Sequence, residues 1–241
     1  MLVPTASGVL DNRMPAFASD FDQAALLEKA AALCPDDTFL NLLPLLQEHK
    51  EEPIYYRTDH HWTTLGAFYG YTAWAESIGL TPYGREDFSE ETVADDFYGT
   101  THSKINLPVY PDSIIRYTPR FPAAYHLIFN LGEKESDSLY DESKLEGKDK
   151  YSYFLGGNNP IVTITSSTGE KGRRLLIIKD SYSHCFAPFA VNHFEETTLI
   201  DLRYFNLGVQ TFLEQEDFTD VLVLYSTANF ADDRNLNTLV K

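Results

Sequence analysis

The stretch that most restricts the fold is the last third of the chain. The apolar run Arg174-Leu175-Leu176-Ile177-Ile178-Lys179 stops at Asp180-Ser181, and two further strand-like segments follow at Thr197 to Leu202 and Val221 to Tyr225. The intervening segments, Ser183 to Phe194 and Asn206 to Glu216, have room and composition for one helix each. A β-α-β-α-β series of this kind closes by right-handed crossovers into three parallel strands flanked by helices. Ligands of such sheets bind beyond the carboxyl ends of the strands. Here those ends deliver Asp180-Ser181, Arg203-Tyr204 and Ser226-Thr227-Ala228-Asn229 to one edge. Arg203, with Tyr204 beside it, is a candidate clamp for an acyl or sugar oxygen, and Asn229 is a candidate oxyanion donor. Each reads equally well as a capping or salt-bridging residue. At 241 residues, with 43% hydrophobic and 14% aromatic content, the chain can bury one α/β core.

Upstream, Leu2-Val3-Pro4 reads as the end of a strand, and Ser19-Asp20-Phe21-Asp22 offers the start of a helix ending at Cys34-Pro35. Thr38 to Leu42 and Ile54 to Tyr56 are short enough for buried strands, with Pro44 opening a helix between them. From Thr63 to Ile78 apolar residues recur at helical spacing, and Gly79 suits a cap. From about 84 to 172 short aromatic β runs alternate with turns, which predicts a β-rich insertion attached to the sheet and part of one domain spanning 1–241. Within it, the charged stretch Glu133 to Lys150 reads as a mobile surface loop.

Chemistry concentrates in Thr58-Asp59-His60-His61-Trp62-Thr63. In extended backbone Asp59 and His61 leave one face and His60 the other. A carboxylate beside an imidazole fixes its tautomer and supports the imidazolium formed when it accepts a proton. The missing nucleophile is Ser181, on a polar turn at the end of an apolar strand. Ser7 is a rival, but it has no adjacent imidazole and reads as a loop serine. Backbone N–H groups after Ser181 are the expected oxyanion donors. Trp62 and Trp74 read as packing residues.

The segment Thr58 to Thr63 followed by Gly66-Ala67, together with Lys179-Asp180-Ser181-Tyr182-Ser183, resembles the DHHW family of SGNH-hydrolase-like proteins and is similar to alginate O-acetyltransferase-type proteins. The resemblance implies a three-layer SGNH-like sandwich with a central parallel sheet. It implies Ser181 as nucleophile, His61 as base and Asp59 as orienting acid. The order Asp, His, Ser reverses that of SGNH esterases, and Lys179 stands where those have glycine. The implied activity is removal or transfer of acetyl groups on an extracytoplasmic glycan, with an acylated sugar as substrate and no cofactor. Gly99-Thr100-Thr101-His102-Ser103-Lys104 resembles family sequence near the site, so Lys104 or His102 is expected beside a substrate channel. The alternative is a catalytically silent SGNH-like module that binds carbohydrate or scaffolds an envelope assembly.

Nineteen basic against thirty-six acidic residues, a net charge of −17, oppose nucleic acid, anionic lipid and polyanionic glycans as partners. Cys34 and Cys185 are too few and too far apart for a disulfide framework. No apolar run reaches the roughly 20 residues of a membrane span, and a membrane anchor is expected outside this sequence. Asp59, His60 and His61 are a poor metal set because adjacent imidazoles on an extended loop diverge and no further ligand falls nearby. Oligomeric state is not legible.

Overall fold

A computed structural model describes residues 1–18, 21–36 and 38–240. Its strands are β1 (Leu2–Val3), β2 (Phe88–Phe97), β3 (Asp112–Pro119), β4 (Tyr125–Phe129), β5 (Lys134–Ser136), β6 (Ile161–Ser166), β7 (Glu170–Lys179), β8 (Phe194–Ile200) and β9 (Asp220–Ser226). The helices are α1 (Ala6–Val9), α2 (Gln23–Leu33), α3 (Leu43–Glu48), α4 (Thr64–Ser77), α5 (Thr100–Ile105), α6 (Ala187–Ala190), α7 (Val209–Glu214) and α8 (Thr227–Asp232).

The main sheet has the order β1-β9-β7-β8-β6-β4-β5. β1, β9, β7 and β8 pair in parallel, while β6, β4 and β5 add on antiparallel. The apolar run of β7 is continuous because both faces of the sheet are covered. Leu175 and Ile177 enter one core with Trp62, Tyr71 and Phe189, whereas Leu176 and Ile178 enter a second with Leu27, Val209 and Tyr225. Two cores on opposite faces of one sheet make the three-layer α/β sandwich.

The stretch 84–172 divides. β2 and β3 form a separate antiparallel hairpin, and β4, β5 and β6 extend the main sheet. Glu133 to Lys150 is more ordered than its charge predicts. It contains β5 and a 3₁₀ turn at Glu142–Glu146, and Lys150 is buried and paired with Asp96 at 3.2 Å. Thr38 to Leu42 and Ile54 to Tyr56 form no strands, only the single bridges Leu2–Asn41 and Tyr55–Trp62. Ser183 to Phe194 is not one helix. It breaks into a 3₁₀ turn at Ser181–Ser183, α6 with Pro188 in its first turn, and another 3₁₀ turn at Val191–His193. Every residue of this segment except half-buried His193 is buried, so packing and not helical hydrogen bonding sets its path.

α2 starts at Gln23, where Asp22 Oδ1 accepts from Ala25 N; Ser19 and Asp20 lie outside the described residues. α4 starts one residue after Thr63, whose hydroxyl accepts from Gly66 N. Gly66 is required there, since a Cβ would lie 2.3 Å from the carbonyl oxygen of Ile54. This close approach seats the helix directly behind the Asp59–His61 loop. Among the described residues no helix is long and apolar enough to cross a membrane.

Candidate active site

Ser181 and His61, 120 residues apart in the chain, meet at the carboxyl end of β7. Ser181 Oγ and His61 Nε2 are 2.7 Å apart. His61 Nδ1 lies 2.5 Å from Asp59 Oδ1. Because an ionised carboxylate only accepts, Nδ1 carries the hydrogen and Nε2 is left to accept from the serine. All three residues are buried, with Ser181 8% exposed.

Asp59 and His61 are paired for a reason other than strand alternation. Residues 57–61 bend, and His61 N donates to Asp59 Oδ1 at 3.0 Å, a local turn in which the carboxylate caps the backbone two residues on. The same bend overturns the expected placement of His60. Its ring lies 3.8 Å from that of His61, and its Nδ1 reaches Thr100 Oγ1 at 2.5 Å.

The second oxygen of Asp59 accepts from Thr100 N at 2.8 Å and Thr100 Oγ1 at 2.9 Å. Gly99 permits this, since a Cβ there would fall 2.3 Å from Asp59 Cβ and Oδ2. Burial alone would raise the Asp59 carboxyl, but the hydrogen bond and charge of His61, aided by His60 and Thr100, hold it well below the usual carboxylate range. Asp59, His60 and His61 do bring donor atoms within 4.8 Å of one another. Yet four N–H and O–H groups already occupy the Asp59 oxygens, and a cation would have to displace one.

Two reciprocal bonds clasp the loop to the serine turn. Trp62 Nε1 donates to Tyr182 O at 2.8 Å, and the Tyr182 hydroxyl donates to His60 O. Trp62 is thus both core and clasp. Asp180 is fully buried and organises the turn. Its Oδ1 accepts from Tyr182 N, and its Oδ2 accepts from Ser226 N, Ser226 Oγ and Asn229 Nδ2, all within 2.9 Å.

These contacts revise the expected oxyanion and substrate groups. Tyr182 N is spent on Asp180 Oδ1 and Ser183 N on Asp180 O, so the N–H groups after Ser181 are not free. The backbone N–H of Ser181 itself has no acceptor among the described residues. The Asn229 amide is turned to Asp180, and the Arg203 guanidinium forks onto Asp201 at 2.8 and 2.7 Å. Asp201 also accepts from the buried Lys179, whose ammonium donates to His184 Nε2 at 2.9 Å. Lys179 therefore joins a buried ionic network instead of lining the site. Tyr204 is exposed beside Arg203, and Lys104 is exposed on α5. His102 packs on Tyr98, with ring centroids 4.4 Å apart. Sequence reasoning missed Thr100 and Tyr151; the only signal was the family-like run starting at Gly99.

Burial, then neighbouring positive charge, keeps several histidines neutral: His184 falls well below its ordinary value, and His60 and His193 are pushed down to about 4. A depressed histidine favours folding above the unfolded value of 6.5. Below it the unfolded chain binds protons that the folded chain refuses, so stability falls as the pH drops from 6.5 towards 4. The slope is up to about 1.4 kcal/mol per pH unit for each histidine, less for half-exposed His60. Urea midpoints from pH 8 to 4 should show this decline, and His193→Gln should flatten it; an unchanged midpoint between pH 7 and 5 would contradict it.

The fold and the Asp-His-Ser series at the sheet's carboxyl edge define an SGNH-like α/β protein. A family model described as DHHW protein matches residues 1–200. The chain belongs to the DHHW family. It is similar to a crystal structure of a DHHW family protein from Eubacterium siraeum, at 27% identity and a TM-score of 0.83, covering 100% of this chain and 81% of that one. It is also similar to Bacillus cereus PatB1 with a sulfonyl adduct, at 19% identity and a TM-score of 0.75, covering 95% and 81%. The O-acetyltransferase domain of Pseudomonas putida AlgJ matches at 15% identity and a TM-score of 0.51, covering 98% and 77%. The last two likenesses show the fold alone. No curated protein matches the sequence.

Proposed function

We propose that the protein is a serine-dependent carbohydrate O-acetyl esterase or O-acetyltransferase acting on an extracytoplasmic glycan. The observation that carries this reading is the unbroken hydrogen-bond series Asp59–His61–Ser181. His61 Nε2 takes the Ser181 proton as Oγ attacks the ester carbonyl carbon. The tetrahedral oxyanion forms within reach of the Ser181 N–H. Collapse breaks the ester C–O bond, the leaving alcohol takes the proton from His61, and acetyl-serine remains. Water or a sugar hydroxyl, deprotonated by His61, then attacks the acetyl-serine and restores the enzyme. The likeness to an O-acetyltransferase domain and to a protein solved with a sulfonyl adduct supports acyl chemistry on this fold.

A cavity of about 1000 Å³ lies next to the triad loop, with Tyr55, Arg57 and Thr64 in its walls and Arg85, Glu90 and Tyr117 on the β2–β3 side, but Asp59, His61 and Ser181 do not line it, so it is not the seat of the reacting ester.

The test is incubation with p-nitrophenyl acetate, with and without neutral oligosaccharides, followed by mass analysis of the peptide containing Ser181. One added acetyl group on that peptide, with acetate or acetylated sugar released, is expected. Absence of both adduct and turnover refutes the enzyme and leaves a binding module.

A further inference from the structure

We infer that Tyr151 is a positioning residue for this chemistry, its ring fixing the plane of the His61 imidazole while its hydroxyl fixes the turn that carries Ser181. The inference rests on the assignment of Ser181 and His61 above. The Tyr151 and His61 rings lie 3.7 Å apart between centroids and within 10° of parallel. The Tyr151 hydroxyl donates to the carbonyl oxygen of Ser181 at 3.0 Å and lies 3.3 Å from Cys185 Sγ. One side chain therefore touches both the base and the nucleophile's backbone.

The geometry explains why a third contact is needed. Asp59 holds His61 at Nδ1 and Ser181 holds it at Nε2, both by hydrogen bonds lying in the ring plane, which resist a tilt of that plane about the Cβ–Cγ bond only weakly. Such rocking tips the Nε2 lone pair away from the serine hydroxyl without breaking the bond to Asp59. A flat wall against the ring face removes that freedom. His60 lies 3.8 Å from His61 but is tilted by 38°, and its side chain is 47% exposed, so it is the looser neighbour. Two rings this near cannot share one face of an imidazole, so Tyr151 and His60 sandwich it. Tyr151 is 4% exposed and is itself wedged edge-on by Tyr56, with Phe154 tilted against it. Burial holds its phenol neutral far above ordinary pH, so the hydroxyl stays a donor.

Tyr151 sits on the 3₁₀ turn Lys150–Tyr153, within the β-rich stretch and not on the elements that carry the triad. The turn is anchored by the Lys150 ammonium, which donates to Leu145 O and pairs with Asp96.

The experiment measures the rate of fluorophosphonate labelling of the full chain as a function of pH, together with the low-field proton resonance of the His61 Nδ1–H. Tyr151→Leu, which keeps bulk and loses the flat face, is expected to slow labelling about 10²-fold and to broaden or shift the resonance. Tyr151→Phe, which keeps the face and loses the hydroxyl, is expected to slow it about 2- to 10-fold with the resonance retained. Tyr140→Phe, which removes another hydroxyl-to-carbonyl bond in the same stretch, is the control and should label like the parent. Parental labelling and an unmoved resonance in Tyr151→Leu overturn the inference. If the parent protein itself never labels, the serine reading fails. The resonance then still decides the Tyr151 contact: a shift in Tyr151→Leu upholds the packing role, and no shift removes it.

Discussion

Ser181→Ala is expected to reduce acetyl-ester turnover and fluorophosphonate labelling by at least about 10⁴-fold, the scale on which hydroxyl nucleophiles of such triads matter. His61→Ala is expected to cost nearly as much. The double variant should be hardly worse than either, because the two atoms 2.7 Å apart act as one unit. Stability should change little with Ser181→Ala, since among the described residues the serine side chain bonds only to His61 while the turn is held by Asp180, Tyr151 and Trp62. The measurement is initial rate against p-nitrophenyl acetate alongside a urea melt. An alanine variant that turns over ester at the parental rate would falsify the role of Ser181.

Asp180→Ala carries the largest expected loss of stability. The carboxylate is fully buried and receives four hydrogen bonds, from Tyr182 N, Ser226 N, Ser226 Oγ and Asn229 Nδ2. Removing it strands donors from the serine turn, from the end of β9 and from α8. Hydrogen bonds to a charged group contribute about 1.5–3 kcal/mol each net, not additively, and abandoned buried partners cost more than a lost contact. The net expectation is about 3–5 kcal/mol of unfolding free energy, read from urea or guanidinium melts. Labelling of Ser181 should fall as well, because the freed Tyr182 N–H no longer fixes the turn. A melt within about 0.5 kcal/mol of the parent, the range of ordinary surface substitutions, would show that Asp180 does not organise this edge.

The parallel sheet was legible because β7 and β9 each end in a polar residue after an apolar run, Leu175 to Ile178 and Val221 to Tyr225, the signature of strands covered on both faces, while β8 between them was legible only as a strand-like run. The pairing of Asp59 with His61 was legible from residue type and spacing, though a bend and not an extended strand produces it. The helix read over Ser183 to Phe194 failed because burial on every side overrode local propensity. Arg203 and Asn229 were legible as edge residues, and Lys179 as a departure from the esterase pattern, but none of the three in its partners. Sequence cannot say that Asp201 and Asp180 turn inward to claim them. Thr100 and Tyr151 were illegible for a related reason: they reach the site through tertiary docking of distant segments, 41 residues from Asp59 and 30 from Ser181.

The cradle built from Gly99 and Thr100 has a consequence for anyone trimming this protein. Excising the hairpin and its neighbours would leave the reactive trio intact on paper, with every motif still present in the remaining polypeptide. The acid would nonetheless lose two of its four donors and the space reserved for it, and would swing towards solvent. A minimal version must therefore retain the middle of the chain, and motif searches alone will overcount working copies wherever that middle has been lost.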